Sequence, residues 1–378
     1  MVTGMTILLT GATGFLGSRL LYELLLRGPD DVVALGRGPV AALRARVVRA
    51  LTDIAGGPLP EPALARLRCL TGDLARPRLG LSPADYDLLA RRTAAVWHSG
   101  ADISLTASLD TLRETNVGGT ARVLELALRA GPGCRVTHIS TAFVAGRRRG
   151  GCVPETELDG SRGFETPYEQ TKYEAELLVR GWADRWGRPV TVLRPSVLVT
   201  RGRPAEGLPQ HPFGEMGRKA GPGAGPLTGM TGRVRLPLPA DGTVNAVQVE
   251  YAVQAMLRLA ERAPDGPGAH TFHVVHPVDT PVRLLLDAIE GGHPGLRLEQ
   301  VPHIADPTAA ETLAAGQLPD FLARYGTQRR TYERPGLLAL APDLADPAPL
   351  DMSYLRAAMG YDTAGREHRT DGDHARTK

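Results

Sequence analysis

The chain has 378 residues, 42% of them hydrophobic, and a formal net charge of +3. That length suits one large domain or two sharing an interface, and so weak a positive excess, with no long basic stripe, argues against a dedicated nucleic-acid binder. Cys69, Cys134 and Cys152 have neither metal-ligand nor disulfide spacing, and no stretch reads as a signal peptide or membrane span, so a cytoplasmic protein without a metal site is expected.

In chain order, TILLTG (6–11) reads as a buried strand and GSRLLYELLLRG (17–28) as a helix with leucines on one face and Gly28 as its stop. Strands follow at 31–37, 66–74 and 94–101, then a long helical pattern at 110–131 and a fifth strand at 134–143. A helix at 168–187 precedes a sixth strand at 189–199. This alternation, with nearly continuous apolar strands, predicts an α/β fold: a Rossmann-type, doubly wound parallel sheet covered on both faces.

After Thr200 the texture changes. Residues 201–233 are dense in Gly and Pro and read as a long mobile loop or lid with no regular element. Helical patterns return at 247–262 and 280–292 around a strand at 269–277, and beyond 300 helices and loops mix without a motif. The expected organisation is an NADP-binding domain over 1–200, a smaller substrate-binding region over 201–363, and a polar, disordered tail over 364–378.

TGATGFLG sets Gly11, Gly14 and Gly17 between the first strand and the mouth of a helix. One glycine makes the tight turn, one lets a diphosphate approach the backbone, and one lets helix and strand pack closely. The helix N-terminus offers N–H groups and a positive dipole end to the phosphates. The second strand ends ALGRG, with Arg37 where a carboxylate would bind the ribose 2′-hydroxyl of NAD, and Arg44 and Arg46 follow. A guanidinium suits a 2′-phosphate, so NADP is the expected cofactor; the competing reading of Arg37 is a solvated charge. Asp73, after the third strand, suits the adenine amino group or a turn.

YEQTK spaces Tyr168 and Lys172 one helical turn apart. A neighbouring ammonium is expected to lower the phenol's pKa from its usual value of about 10. The chain holds only three lysines, Lys172, Lys219 and Lys378, among 44 basic residues, so Lys172 stands where arginine would not serve. HISTAFVAG (138–146) ends the fifth strand on Ser140 and Thr141, whose side chains point to opposite faces. In this topology ligands sit at the carboxyl ends of the strands. One of these two hydroxyls is the expected partner of a substrate oxygen, with Tyr168 its proton donor and a nicotinamide its hydride source.

TGATGFLG, GDL, HSGA, NVGGT, ISTAFVAG, YEQTK and VLRPSVL together resemble the extended short-chain dehydrogenase/reductases, and within them the thioester-reductase and male-sterility fatty acyl reductase branch. The likeness is strong over 6–200, with LTGDLARPRLGLSPADYDLLARRTAAVWHSGADIS its nearest stretch, and weak to about 277. It implies an NADPH-dependent reductase of an acyl thioester carried on coenzyme A or a carrier protein, giving an aldehyde or, after a second hydride, an alcohol. It implies Thr141, Tyr168 and Lys172 for chemistry, and Thr10, Gly11, Thr13, Gly14, Phe15, Leu16, Gly17, Arg37, Arg44, Asp73, Leu74, Ser99, Lys172 and Pro195 around the cofactor. Carrier-linked relatives usually end multidomain chains, whereas this sequence starts almost at its first strand, so a stand-alone protein is expected. The alternatives are another carbonyl or alcohol substrate (a ketoreductase, or a sugar epimerase or dehydratase) and a non-catalytic NADP sensor.

Four further features carry weaker signals. Arg147, Arg148 and Arg149 suit the phosphates of a thioester arm, an acidic carrier or a solvated loop. His98 suits a cofactor contact or, better, a satisfied core histidine. Trp182 and Trp186 read as packing. Phe213, Met216 and Met230 suit an acyl pocket under 201–233 or simple filling.

Overall fold

The computed structural model describes residues 6–361, apart from 105–106, 202–203, 205–206, 222–226 and 318–319. The predicted tail over 364–378 lies outside the described residues. A seven-stranded sheet organises the chain. Its strands are, in sequence, Thr6–Thr10, Asp31–Gly36, Leu67–Thr71, Thr93–His98, Arg135–Ile139, Pro189–Pro195 and Gly268–Val274. Their spatial order is third, second, first, fourth, fifth, sixth, seventh, and every pairing is parallel. The order reverses between the first and fourth strands, where such sheets open a crevice for ligands.

Both faces are covered, as the near-continuous apolar strands require. On one face Leu9, Val32, Trp97 and Leu193 pack against helices Phe15–Arg27, Val40–Ala55 and Val249–Arg262. On the other, Leu8, Val33, Val96 and Val192 meet helices Pro83–Arg92, Gly119–Ala130 and Pro167–Trp186. A separate core joins helices Pro212–Ala220, Val282–Glu290 and Met352–Met359 to the paired strands Gly232–Pro237 and Leu296–Val301.

Three sequence expectations change. The pattern at 189–199 is two strands: Pro189–Pro195 stays in the main sheet, the chain turns at Ser196, and Val197–Val199 pairs instead with Ala246–Gln248. The pattern at 110–131 contains a π-helical turn, Glu114–Gly118, between Leu109–Arg113 and Gly119–Ala130. The segment 201–233 contains a helix, Pro212–Ala220, with Pro at its start and His211 Nδ1 accepting from the Gly214 N–H. Its glycines mislead a reading by composition. A Cβ on Gly217 would fall 1.8 Å from the Met359 carbonyl, so that glycine is a packing contact between two helices.

Candidate active site

The glycine loop comes first because backbone geometry dictates it. Gly11 has φ of +77°, and a Cβ there would lie 2.8 Å from the backbone of Ser99 and Gly100. A Cβ on Gly17 would fall 2.0 Å from the Gly11 carbonyl. First strand, fourth-strand loop and helix therefore approach as closely as backbone permits. Gly14 caps helix Phe15–Arg27 with no side-chain hydrogen bond, leaving the helix end open to an anion. These residues fit a dinucleotide's diphosphate. Thr13, Phe15 and Leu16 are half-buried around the loop. The Phe15 ring lies 4.1 Å beneath the Arg19 guanidinium and 5.6 Å from the His211 ring, so the chain beyond residue 200 touches the loop.

A buried hydrogen-bond chain fixes the floor. The Gly100 N–H donates to Thr10 Oγ1, which leaves the Thr10 hydroxyl to donate to His98 Nδ1 at 2.8 Å. His98 Nε2–H then donates to Thr120 Oγ1 at 2.9 Å, and Thr120 donates to the Asn116 carbonyl. Burial and the nearby Lys172 push His98 down to about 3, so the ring stays neutral in this one tautomer. It is the satisfied core histidine. Leu74 packs under Gly100 and Gly119, and the Ser99 backbone abuts Gly11.

The basic residues at the second strand separate. Arg37 is exposed at the carboxyl tip, and Arg46 donates to its carbonyl at 2.6 Å. Arg44 instead donates to the carbonyl of Leu67, the first residue of the third strand. It thus serves the opposite end of the sheet, and Arg46 takes its place beside Arg37. Asp73 builds a turn: its Oδ1 accepts the Ala75 N–H and its own N–H donates to Leu79.

The two hydroxyls directly follow the fifth strand and serve different partners. Ser140 donates to Glu176 at 2.6 Å, inside an ion-pair cluster where Glu176 also holds Arg194 at 2.7 Å and Arg180 at 2.9 Å. Glu176 and Arg194 are fully buried. Burial opposes the Glu176 charge, but Arg194, Arg180 and the Ser140 hydroxyl outweigh it and hold the carboxyl below its ordinary range. Thr141 faces the other way; its hydroxyl meets the Pro195 carbonyl at 3.4 Å and accepts the Phe143 N–H.

Helix Pro167–Trp186 brings the remaining groups. Thr166 caps it, accepting the Glu169 N–H. Lys172, 5% exposed, donates from Nζ to the Ile139 carbonyl at 2.6 Å. Burial lowers it to about 8, with Glu176 opposing. Tyr168 sits one turn earlier. Its phenol is pushed up by burial and then by Glu169, so in the protein alone the expected lowering by Lys172 does not occur. Asn116, in the π-helical turn, accepts the Asp102 N–H and donates to the Asp102 carbonyl and to Thr171 Oγ1. The sequence reading gave Asn116, Glu176 and Arg194 no role. A π turn at such a place is a signal, but only coordinates reveal it.

Arg147, Arg148 and Arg149 are not a free cationic patch. Arg148 is paired with Glu157 at 2.6 Å, and Arg147 and Arg149 both reach Glu165, at 3.8 and 3.0 Å. Phe213 and Met216 are fully buried in the second core, so they fill it rather than line a pocket, and Met230 packs against the same core. Trp182 packs against the main core while Trp186 is exposed. Among the described residues, no group of His, Cys, Asp and Glu could hold a metal ion, and no helix is long and apolar enough to cross a membrane.

A family model for an NAD-binding domain, described as male sterility protein, matches residues 9–256. The chain belongs to the male sterility protein family. The family's nicotinamide-dinucleotide fold and the open glycine loop agree, and the protein is an NAD(P)-dependent oxidoreductase of the extended short-chain type. Among relatives of this male sterility family domain, an isonitrile lipopeptide synthase from Streptomyces coeruleorubidus is 39% identical over 51% of this chain and 13% of its own length. The L-2-aminoadipate reductase large subunit of Penicillium chrysogenum is 35% identical over 51% of this chain and 15% of its own. The chain thus spans only a small part of these relatives. Among solved structures, the terminal R domain of the myxalamid PKS-NRPS pathway superposes with a TM-score of 0.75 at 26% identity, covering 95% of this chain and 91% of that one. A UDP-glucuronic acid 4-epimerase from Bacillus cereus, bound to NAD, superposes with a TM-score of 0.64 at 18% identity over 94% and 96%; that likeness is of fold.

Proposed function

We propose that this protein is an NADPH-dependent reductase of an acyl thioester held on a carrier protein or coenzyme A in the cytoplasm, releasing an aldehyde or, after a second hydride, an alcohol. The observation that supports the reading is the Lys172 hydrogen bond to the Ile139 carbonyl, two residues before Thr141, on the helix that carries Tyr168 one turn earlier and beside an open glycine loop. The likeness to a terminal R domain of a PKS-NRPS pathway supports the substrate class. The cofactor-binding part would comprise 1–200 together with helix Val249–Arg262, which packs on the main sheet, and strand Gly268–Val274, which belongs to it, and the rest of 201–363 would form the substrate-binding part.

Gly11, Gly14 and Gly17 would hold the diphosphate, Arg37 with Arg46 the 2′-phosphate, and Lys172 the ribose. NADPH, when bound, supplies the hydride. Thr141 orients the thioester carbonyl and Tyr168 gives its proton to the oxygen as negative charge develops there. The resulting hemithioacetal collapses to the aldehyde as its hydroxyl proton returns to the Tyr168 oxygen and thiolate, a good leaving group that needs no further acid, departs. Ala142 and Phe143 follow Thr141 and supply no acid–base pair, which weighs against a dehydratase. The test supplies acyl-carrier, acyl-coenzyme A and free carbonyl forms of one chain with NADPH. Thiol release in step with NADPH loss is expected; turnover of free carbonyls alone would move the protein to the ketoreductase reading.

A further inference from the structure

A second polar cluster lies against the same strand end, and none of the chemistry above uses it. A small crevice, partly open to solvent, is walled by Phe143, Ser196, Tyr325, Gln328, Arg330 and Tyr332, among others. Four polar atoms on these walls are buried without a hydrogen-bond partner: Ser196 Oγ, Gln328 Nε2, and Arg330 Nε and Nη2. Their residues are 6%, 4% and 4% exposed. Asn245, on the same wall, is already satisfied by Asp279 and by His276 backbone.

Arg330 is held firmly on one side and open on the other. Its Nη1 donates to the Gly146 carbonyl at 2.5 Å, and its guanidinium lies 5.6 Å from the ring centroids of both Phe143 and Tyr332. Burial pushes the Tyr332 phenol up, with the Arg330 charge and a side-chain contact from Arg330 opposing, so the phenol stays neutral. The Glu169 carboxylate acts on Arg330 only through space; it accepts the Tyr325 hydroxyl and the Glu165 N–H. A buried guanidinium with no carboxylate directly paired to it is costly. All the open atoms can donate, and the Nε–Nη2 edge of arginine matches the two oxygens of a carboxylate.

The crevice adjoins the reacting groups. Ser196 directly follows Pro195, whose carbonyl meets the Thr141 hydroxyl, and Phe143 stands two residues past Thr141. We propose that Arg330, Gln328 and Ser196 recognise a carboxylate on the acyl group itself, so that the substrate is an acidic acyl chain and not a plain fatty one. This rests on the thioester reading of the site.

The experiment compares coenzyme A half-thioesters of five- and six-carbon dicarboxylic acids with chain-matched unbranched acyl thioesters. The carboxylated partner should be favoured in kcat/KM by about tenfold or more, the scale of a charge-assisted contact. Arg330→Gln should remove that preference by slowing the carboxylated arm alone, and Gln328→Met should reduce it; Gln328→Met decides the matter if Arg330→Gln does not fold. Equal rates for the two arms in the wild type, or a uniform loss in the variants, would overturn the pocket. A parallel arm uses free aldehydes with and without the distal carboxylate. A carboxylate preference among aldehydes, with thioesters untouched, would keep the pocket and sink the thioester reading; thioester turnover without the preference would do the reverse.

Discussion

The Lys172 ammonium donates to the Ile139 carbonyl at 2.6 Å, two residues ahead of Thr141. One hydrogen bond therefore ties the helix that carries Tyr168 to the end of the strand that leads into Thr141. Lys172→Arg should be severely impaired although charge is kept, because a planar fork does not fit where a compact ammonium is 5% exposed. Tyr168→Phe should fold and bind NADPH but lose about 10²–10⁴ in turnover, the usual scale for a lost general acid. Cofactor titration alongside steady-state rates checks both.

The same lysine predicts a pH dependence of two signs. Burial brings it down to about 8, below the ordinary lysine value of 10.5. As pH rises through about 8 the ammonium is lost, so kcat/KM should fall. Between about 8 and 10.5 the unfolded chain binds the proton more tightly, so this group's contribution to stability should rise over that window. A rate profile and urea midpoints for wild type and Lys172→Met separate the two; the alkaline rise in stability should be absent from the variant.

Gly17→Ala should abolish dinucleotide binding, since its Cβ would meet the Gly11 carbonyl at 2.0 Å, and should cost about 1–3 kcal/mol of stability as overpacking. Gly14→Ala, whose Cβ would meet only the Gly11 carbonyl at 3.1 Å, should fold more normally. Thermal shifts with and without NADPH distinguish a lost site from a lost fold.

Cofactor choice should divide the three arginines. Arg37→Ala and Arg46→Ala should each weaken NADPH by about 1.5–3 kcal/mol while sparing NADH. Arg44→Ala should leave the ratio unchanged, because its guanidinium serves the Leu67 carbonyl. Equal dissociation constants for NADPH and NADH in the wild type would defeat the NADP assignment outright.

Glu176→Gln strips the counter-charge from fully buried Arg194 and should cost about 3–5 kcal/mol in chemical denaturation. Ser140→Ala should cost far less.

What the sequence made legible is local. Gly11, Gly14, Gly17, Tyr168 and Lys172 act through spacings of three or four residues, which a single strand–loop–helix or one helical turn fixes. The choice between Arg44 and Arg46 was not legible, because two residues on one helix face different ways and the helix's rotation is set by packing. Helix Pro212–Ala220 was hidden because the reason for Gly217 is Met359, far along the chain. Ser196, Gln328 and Arg330 meet only after the chain has folded, and no spacing announces them.

The seventh strand carries a consequence for synthesis. Residues 268–274 pair with 189–195 along their whole length, yet residues 196–267 lie between the two, including part of the second core. A nascent chain ending near residue 200 exposes an unpaired sheet edge made of Val190, Val192 and Leu193, the kind of edge that recruits foreign strands. Truncation there should yield aggregate, and a excised half should need its missing strand supplied in trans.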